Sequence, residues 1–186
     1  MKIEKDHLTI NQYSRPGRIR RETLAIVMHW TGSPNQDENT VKHFFEIICP
    51  RDKHYSSAHF IIGQTGRILE VIPTNEVAYH CGTNKKDPDS GKVYTDEARS
   101  RFGTYTNPTS SPNNCTIGIE LCPINEDGEF SRQTIEAATI LVRQLLEEYG
   151  ITPEDVTTHH EIVGWKDCPR FWTNNREPYH YWRNSL

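Results

Sequence analysis

Between Thr158 and Pro169 the chain reads Thr-His-His-Glu-Ile-Val-Gly-Trp-Lys-Asp-Cys-Pro, which puts two imidazoles, a lysine and a thiol into one short stretch. Imidazole nitrogen and thiolate sulfur are ligands that zinc prefers, and Lys166, two residues before Cys168, could hold an ammonium beside the metal. The same residues also suit a structural cysteine in a tight turn, closed by a proline that cannot continue regular structure. The run alone leaves both readings open. A metal centre needs further ligands from elsewhere in the chain.

His29 is the first position to weigh. Leu24-Ala25-Ile26-Val27-Met28 is a short apolar run with no wet face, the pattern of a buried central strand, and Trp30-Thr31-Gly32-Ser33-Pro34 after it is loop chemistry. A histidine ending a buried strand either projects into a cleft or is hydrogen-bonded within the core. Glu120 is the second. In Thr116–Leu121 the apolar Ile117, Ile119 and Leu121 share one face of a strand, and Thr116, Gly118 and Glu120 share the other. Its carboxylate is a rim charge or a catalytic group, with Gly118 leaving room beside it. His59, among apolar neighbours, reads as packing; His80, near a turn, reads by default as exposed; His43 and His54 read as surface residues.

Several elements must position these groups. Asn39 can cap a helix whose Val41, Phe44, Phe45 and Ile48 fall at i, i+3, i+4 and i+7. Segments 58–63 and 67–71 flank Gln64-Thr65-Gly66 as a β-hairpin. Residues 83–113, with Lys85, Lys86, Asp87, Asp89 and three prolines, form a long polar loop bordering a groove. Ser131 caps a helix running through Tyr149, with Ile135, Ala138, Val142, Leu145 and Tyr149 as its core stripe and Gly150 ending it. Thr152-Pro153-Glu154-Asp155 starts a further short turn. Arg15, Arg18, Arg20 and Arg21 sit in a polar N-terminal stretch that reads as a solvated arm, with a basic patch as the alternative. From Arg170 the chain reads as an aromatic and polar tail.

The 186 residues fit one domain with a sizeable core, or a domain plus a short tail. A formal charge of −4 gives no push toward nucleic acid or an anionic membrane. No apolar run is long enough to cross a bilayer, and Met1–His7 lacks the apolar core of a signal peptide. Five cysteines suit one metal ligand plus four others. Cys115 and Cys122 on one strand would lie about 23 Å apart and could not bridge each other.

His29-Trp30-Thr31, Ser57-Ala58-His59-Phe60, Tyr79-His80-Cys81-Gly82, Ile117-Gly118-Ile119-Glu120 and His159…Lys166-Asp167-Cys168-Pro169 occur in that order. The ordered set resembles the zinc-dependent N-acetylmuramoyl-L-alanine amidases, a family that includes phage endolysins, Bacillus autolysins and peptidoglycan-recognition proteins. The likeness spans residues 22–172, leaving 1–21 as an arm and 173–186 as a tail. It implies an α/β fold, a mixed central sheet with helices on both faces. It implies one zinc held by His29, His159 and Cys168, with a fourth position open to water. His159 is preferred to His160 because the family's ligand histidine is followed by a variable residue and then often an acid, here Glu161. Glu120 resembles the family's general base and Lys166 the group that stabilises the oxyanion. Some relatives use a tyrosine just before the position of His59, where this chain has Ala58. His80 resembles a residue lining the substrate groove.

The activity so implied is hydrolysis of the amide joining N-acetylmuramic acid to L-alanine. Peptidoglycan or its soluble muropeptides would be the partner, with no nucleic acid and no membrane insertion. Without a signal peptide, the expectation is synthesis in the cytoplasm and action on the wall after release, or recycling of wall fragments within the cell. A non-catalytic peptidoglycan-binding module is the reading from another class; such relatives typically lose the ligand at the position of Cys168.

Overall fold

Six strands carry the architecture: β1 (Ile3–Lys5), β2 (Ala25–Trp30), β3 (Phe60–Ile62), β4 (Ile68–Glu70), β5 (Thr116–Leu121) and β6 (Val156–Thr158). In the computed structural model, which describes residues 2–34 and 36–186, they form one mixed sheet ordered β1-β4-β3-β5-β2-β6. Only the hairpin pair β3 and β4 is antiparallel; β1 runs parallel to β4, and β3, β5, β2 and β6 run parallel to one another. The helices are α1 (Glu38–His43), α2 (Cys49–Arg51), α3 (Asp96–Phe102), α4 (Arg132–Tyr149), α5 (His159–Val163), α6 (Arg170–Asn174) and α7 (Arg176–Asn184).

The two-residue period of the strands divides the core between two faces. Ile26, Met28, Ile117, Ile119 and Leu121 pack against Ala138, Leu141, Val142 and Leu145 of α4 and against Trp172, Tyr179 and Trp182. On the other face Ala25 and Val27 meet Tyr94, Ala98 and Phe102 with Ile162 and Val163 of α5, while Ile61 and Leu69 meet Val41 and Phe45. Helices therefore cover both faces. α4 follows its sequence pattern: Ser131 accepts from the Thr134 N–H at one end, and Gly150 closes the other in the left-handed conformation.

Three expectations change within residues 22–172. Asp37, not Asn39, caps the first helix, because its carboxylate accepts from both the backbone N–H and the hydroxyl of Thr40. The expected stripe also shifts phase. A π-helical turn at Phe44–Ile48 underwinds the helix, so Val41, Phe45 and Cys49 are the buried residues and Phe44 stays exposed. Within the 83–113 loop, Thr95 caps α3, whose Ala98 and Phe102 join Tyr94 in the core.

The arm and tail are both structural. β1 extends the sheet, Leu8 is buried, Arg15 makes a two-pronged pair with Glu76, and Arg20 is buried with its guanidinium on backbone carbonyls of Glu22 and Thr74. At the other end α7 sends Tyr179 and Trp182 into the core, where Trp182 stacks on Trp172 at 4.9 Å. The short edge strand and the amphipathic last helix complete the two faces that residues 22–172 leave uncovered.

Candidate active site

Strand register places the first two candidate groups. His29 of β2 stands directly opposite Glu120 of β5 near the C-terminal ends of these parallel strands. Both side chains belong to the face that carries Val27 and Gly118, not the face covered by α4. β6 lies on the other side of β2, with Thr158 opposite Met28, so the chain leaves β6 beside His29 and delivers His159 as the first residue of α5. Thr158 caps this helix through a reciprocal pair with Glu161: its hydroxyl accepts from the Glu161 N–H, and the Glu161 carboxylate accepts from the Thr158 N–H. The acid after the histidine pair thus sets the helix that aims His159.

Cys168 arrives from a loop tied to both neighbours. The His160 N–H donates to the Cys168 carbonyl at 2.9 Å, and the His160 ring Nδ1–H donates to the Lys166 carbonyl at 3.0 Å. The Trp30 indole N–H donates to the Asp167 carbonyl at 3.0 Å. One histidine of the pair therefore joins the buried cluster and the other staples the loop. The ligand atoms of His29, His159 and Cys168 all lie within 4.8 Å of one another, and all three residues are buried. The Cys168 sulfur is 3.6 Å from His29 Nδ1, and the His29 and His159 rings are 4.9 Å apart. Both ring nitrogens of His159 lack a hydrogen-bond partner among the described residues. Buried polar atoms without partners are uncommon, and one of these two nitrogens lies within 4.8 Å of the Cys168 sulfur and of a His29 ring nitrogen. The three residues could bind a metal.

Burial keeps the two imidazoles in the neutral form that ligates a metal and keeps the thiol protonated, so a metal bound here would displace the thiol proton. Burial, then the nearby His159, His80 and Lys166, holds His29 well below the usual imidazole range. Burial, then Lys166 and His160, pushes His159 down to about 3. Both rings are neutral. Burial raises the Cys168 thiol to about 12, with Glu120 adding to the rise and Lys166 opposing it. Glu120 is half-buried, one of its oxygens lacks a partner among the described residues, and burial lifts its carboxyl to about 8 against the pull of Lys166. Glu120 and the exposed Lys166 line one cleft of about 220 Å³ with Trp30, Thr31, Phe44 and Phe45.

The model of the family described as N-acetylmuramoyl-L-alanine amidase matches residues 20–171. The chain belongs to this family. A probable N-acetylmuramoyl-L-alanine amidase of Bacillus licheniformis is 29% identical over 175 residues, covering 94% of this chain and 44% of the relative. The N-acetylmuramoyl-L-alanine amidase BlyA of Bacillus subtilis (strain 168) is 26% identical over 181 residues, covering 97% of this chain and 45% of the relative. The chain thus spans less than half the length of these curated relatives. In fold, a solved mutant endolysin from Bacillus subtilis superposes with a TM-score of 0.70 at 20% identity, over 99% of this chain and 97% of that one.

Against the amidase reading of the sequence, the structure brings together His29, His159 and Cys168, and places Glu120 and Lys166 on the adjoining cleft. His160 is not in the cluster. His59 is structural: its Nδ1 accepts from the Gly118 N–H at 3.0 Å and its Nε2–H donates to the Glu76 carbonyl at 2.9 Å. His80 is neither exposed nor on the wall of the cleft. It is 8% exposed and sits behind His29, its Nδ1 3.1 Å from His29 Nε2. Two residues account for that place. Asn113 Oδ1 accepts the backbone N–H groups of His80, Cys81 and Gly82, pulling the turn inward. Gly118 leaves the space its ring occupies, since a Cβ there would lie 2.5 Å from the ring. Sequence reading missed Asn113 and Thr116. The signal available for Thr116 was its alternation onto the face of Glu120.

Proposed function

We propose that this chain is a zinc-dependent hydrolase that cleaves the amide between the lactyl group of N-acetylmuramic acid and L-alanine in peptidoglycan. The observation that carries this reading is the convergence of His29, His159 and Cys168 on one buried point beside a partnerless carboxylate oxygen of Glu120. Two imidazoles and a thiol are a donor set suited to zinc, and three protein ligands leave a position open. Zinc held there would supply Lewis acidity, lowering the pKa of a water and polarising a carbonyl.

The remaining work falls to the chain itself. Glu120 lies opposite His29 with a carboxylate oxygen that has no partner among the described residues, so in its ionised form it can take a proton at that oxygen from the attacking water and pass it to the departing amine. Lys166, on the same cleft, offers a positive charge to the carbonyl oxygen as it becomes an oxyanion. The exposed face of Phe44 and the Trp30 ring edge the cleft and give a sugar or peptide an apolar surface. Partly burying the site keeps these charges effective.

The deciding experiment measures metal content of the purified protein together with release of L-alanine amino termini from peptidoglycan, before and after chelation. One zinc per chain, and release that stops on chelation and returns with zinc, is the expected result. Zinc without release from intact walls or soluble muropeptides would leave a binding module; no zinc and no release would overturn the site.

A further inference from the structure

A directed chain of hydrogen bonds runs from the buried cluster into the body of the fold. His29 Nε2 lies 3.1 Å from His80 Nδ1, His80 Nε2 lies 3.2 Å from the Thr116 hydroxyl oxygen, and that hydroxyl is 2.7 Å from the Pro112 carbonyl. The far end fixes the direction, because a carbonyl only accepts. The Thr116 proton therefore goes to Pro112, leaving its oxygen to accept from His80 Nε2–H. A neutral His80 protonated at Nε2 presents a lone pair at Nδ1, which accepts from His29 Nε2–H. His29 is then left with its lone pair on Nδ1, the nitrogen 3.6 Å from the Cys168 sulfur.

Each link is buried and separately braced. His80 is clamped through three backbone N–H bonds to Asn113 Oδ1, and its ring lies over Gly118, where any side chain would displace it. Thr116 stands opposite Ala25 on the strand beside β2, two pairs before the facing Gly118 and Val27. His59 pins the Gly118 N–H from the neighbouring strand. The relay is thus anchored in the sheet at His29 and Thr116.

We propose that His80 is a positioning residue, which with Thr116 and Pro112 fixes the tautomer and orientation of His29 so that Nδ1 is free to bind the metal. The inference rests on the metal reading above and gives His80 work within the protein in place of contact with substrate. A partner that orients a ligand imidazole typically changes metal affinity by about 10–100-fold when removed.

The test uses the full chain and two readouts independent of turnover: zinc affinity by competition with a chromophoric chelator, and the long-range nitrogen–proton NMR pattern of His29. In the unaltered protein, with or without zinc, His29 should carry its proton on Nε2 and His80 likewise on Nε2. His80→Leu should weaken zinc binding about 10–100-fold and leave zinc-free His29 as a mixture of tautomers. His80→Asn, whose side-chain oxygen can take the place of Nδ1 as acceptor, should recover much of the affinity. Thr116→Val should shift binding the same way by less. A folded His80→Leu with unchanged zinc affinity and a raised KM would overturn the proposal in favour of substrate contact. If His80→Leu does not fold, a proton found on Nδ1 of His29 in the unaltered, zinc-free protein overturns it instead. Zinc bound through an intact relay but no wall cleavage would sink the amidase reading and leave this one standing.

Discussion

Neighbouring side chains in this site do different work because each hydrogen-bond partner is different. His159 has no hydrogen-bond partner at either ring nitrogen among the described residues and offers one of them to the cluster, whereas His160 spends Nδ1–H on the Lys166 carbonyl. His159→Ala should therefore remove zinc, and His160→Ala should keep it at one per chain while loosening the loop that carries Cys168; metal analysis of the two variants checks this, and the reverse result would exchange their roles. Glu120→Gln keeps the shape and removes the proton acceptor. Its kcat should fall by about 10²–10⁴ with zinc content unchanged. Loss of zinc instead would make Glu120 a ligand. Lys166→Met should lower kcat by roughly 10²–10³ if its charge faces the oxyanion. At this scale residue types supplied the candidates, imidazole, thiol, carboxylate and ammonium, while each kept a structural alternative, and the ordered resemblance to the amidases was what chose among them. Asn113 and Thr116 were silent because amides and hydroxyls serve turns and strands everywhere, and only three-dimensional packing shows which atoms they face.

Elements were legible where one period governed them. The alternation in β5 and the capped stripe of α4 came through, because Ile117, Ile119 and Leu121 pack directly on that stripe. The first helix was misphased by its π-turn, and α3 was hidden in a polar, proline-marked stretch although Thr95-Asp96-Glu97 is a start signal. α7 looked like a tail because its arginines and tyrosines are polar at one end and apolar along the stem. Its contact with the site is specific. Arg176 and the Tyr179 hydroxyl both reach Glu161, the residue that caps α5 below His159. Burial works to raise the Glu161 carboxyl, but hydrogen bonds from Arg176, the Thr158 N–H and Thr157 outweigh it and hold it below the usual range. A folded pKa below the unfolded value gives stability that is fully present above the unfolded carboxyl range near 4.3 and is lost as pH falls through it toward the folded value. Glu161→Gln should lower Tm at pH 7 and flatten the fall of Tm between about pH 5 and 3. An unchanged acid slope would mean that Glu161 does not link α7 to the metal-bearing helix.

The whole molecule buries four imidazoles, His29, His59, His80 and His159, around the junction of β2, β3, β5 and β6. Burial depresses all four: His59 and His159 fall to about 3, and His29 and His80 fall well below the ordinary imidazole range, with neighbouring histidines adding to the shift. For a base with a lowered folded pKa, the unfolded chain takes up protons that the folded chain refuses. The stability is present above the unfolded value of about 6.5 and is lost as pH drops below it, by up to about 1.4 kcal/mol per pH unit for each histidine. Carboxylates cannot produce a loss that begins so high, since their unfolded values lie near 4. Zinc-free protein should therefore unfold at steadily lower denaturant as pH falls from 7.5 to 5.5, the raised Glu120 carboxyl offsetting about one proton of the histidine slope. Equilibrium unfolding in the presence of chelator, followed by tryptophan fluorescence, measures this directly. His59→Gln, which leaves the metal cluster intact, should reduce the slope by about one proton. A curve that stays flat to pH 5.5 would show that the folded chain accepts these protons, and that its histidine layer is open to water rather than held neutral for a metal.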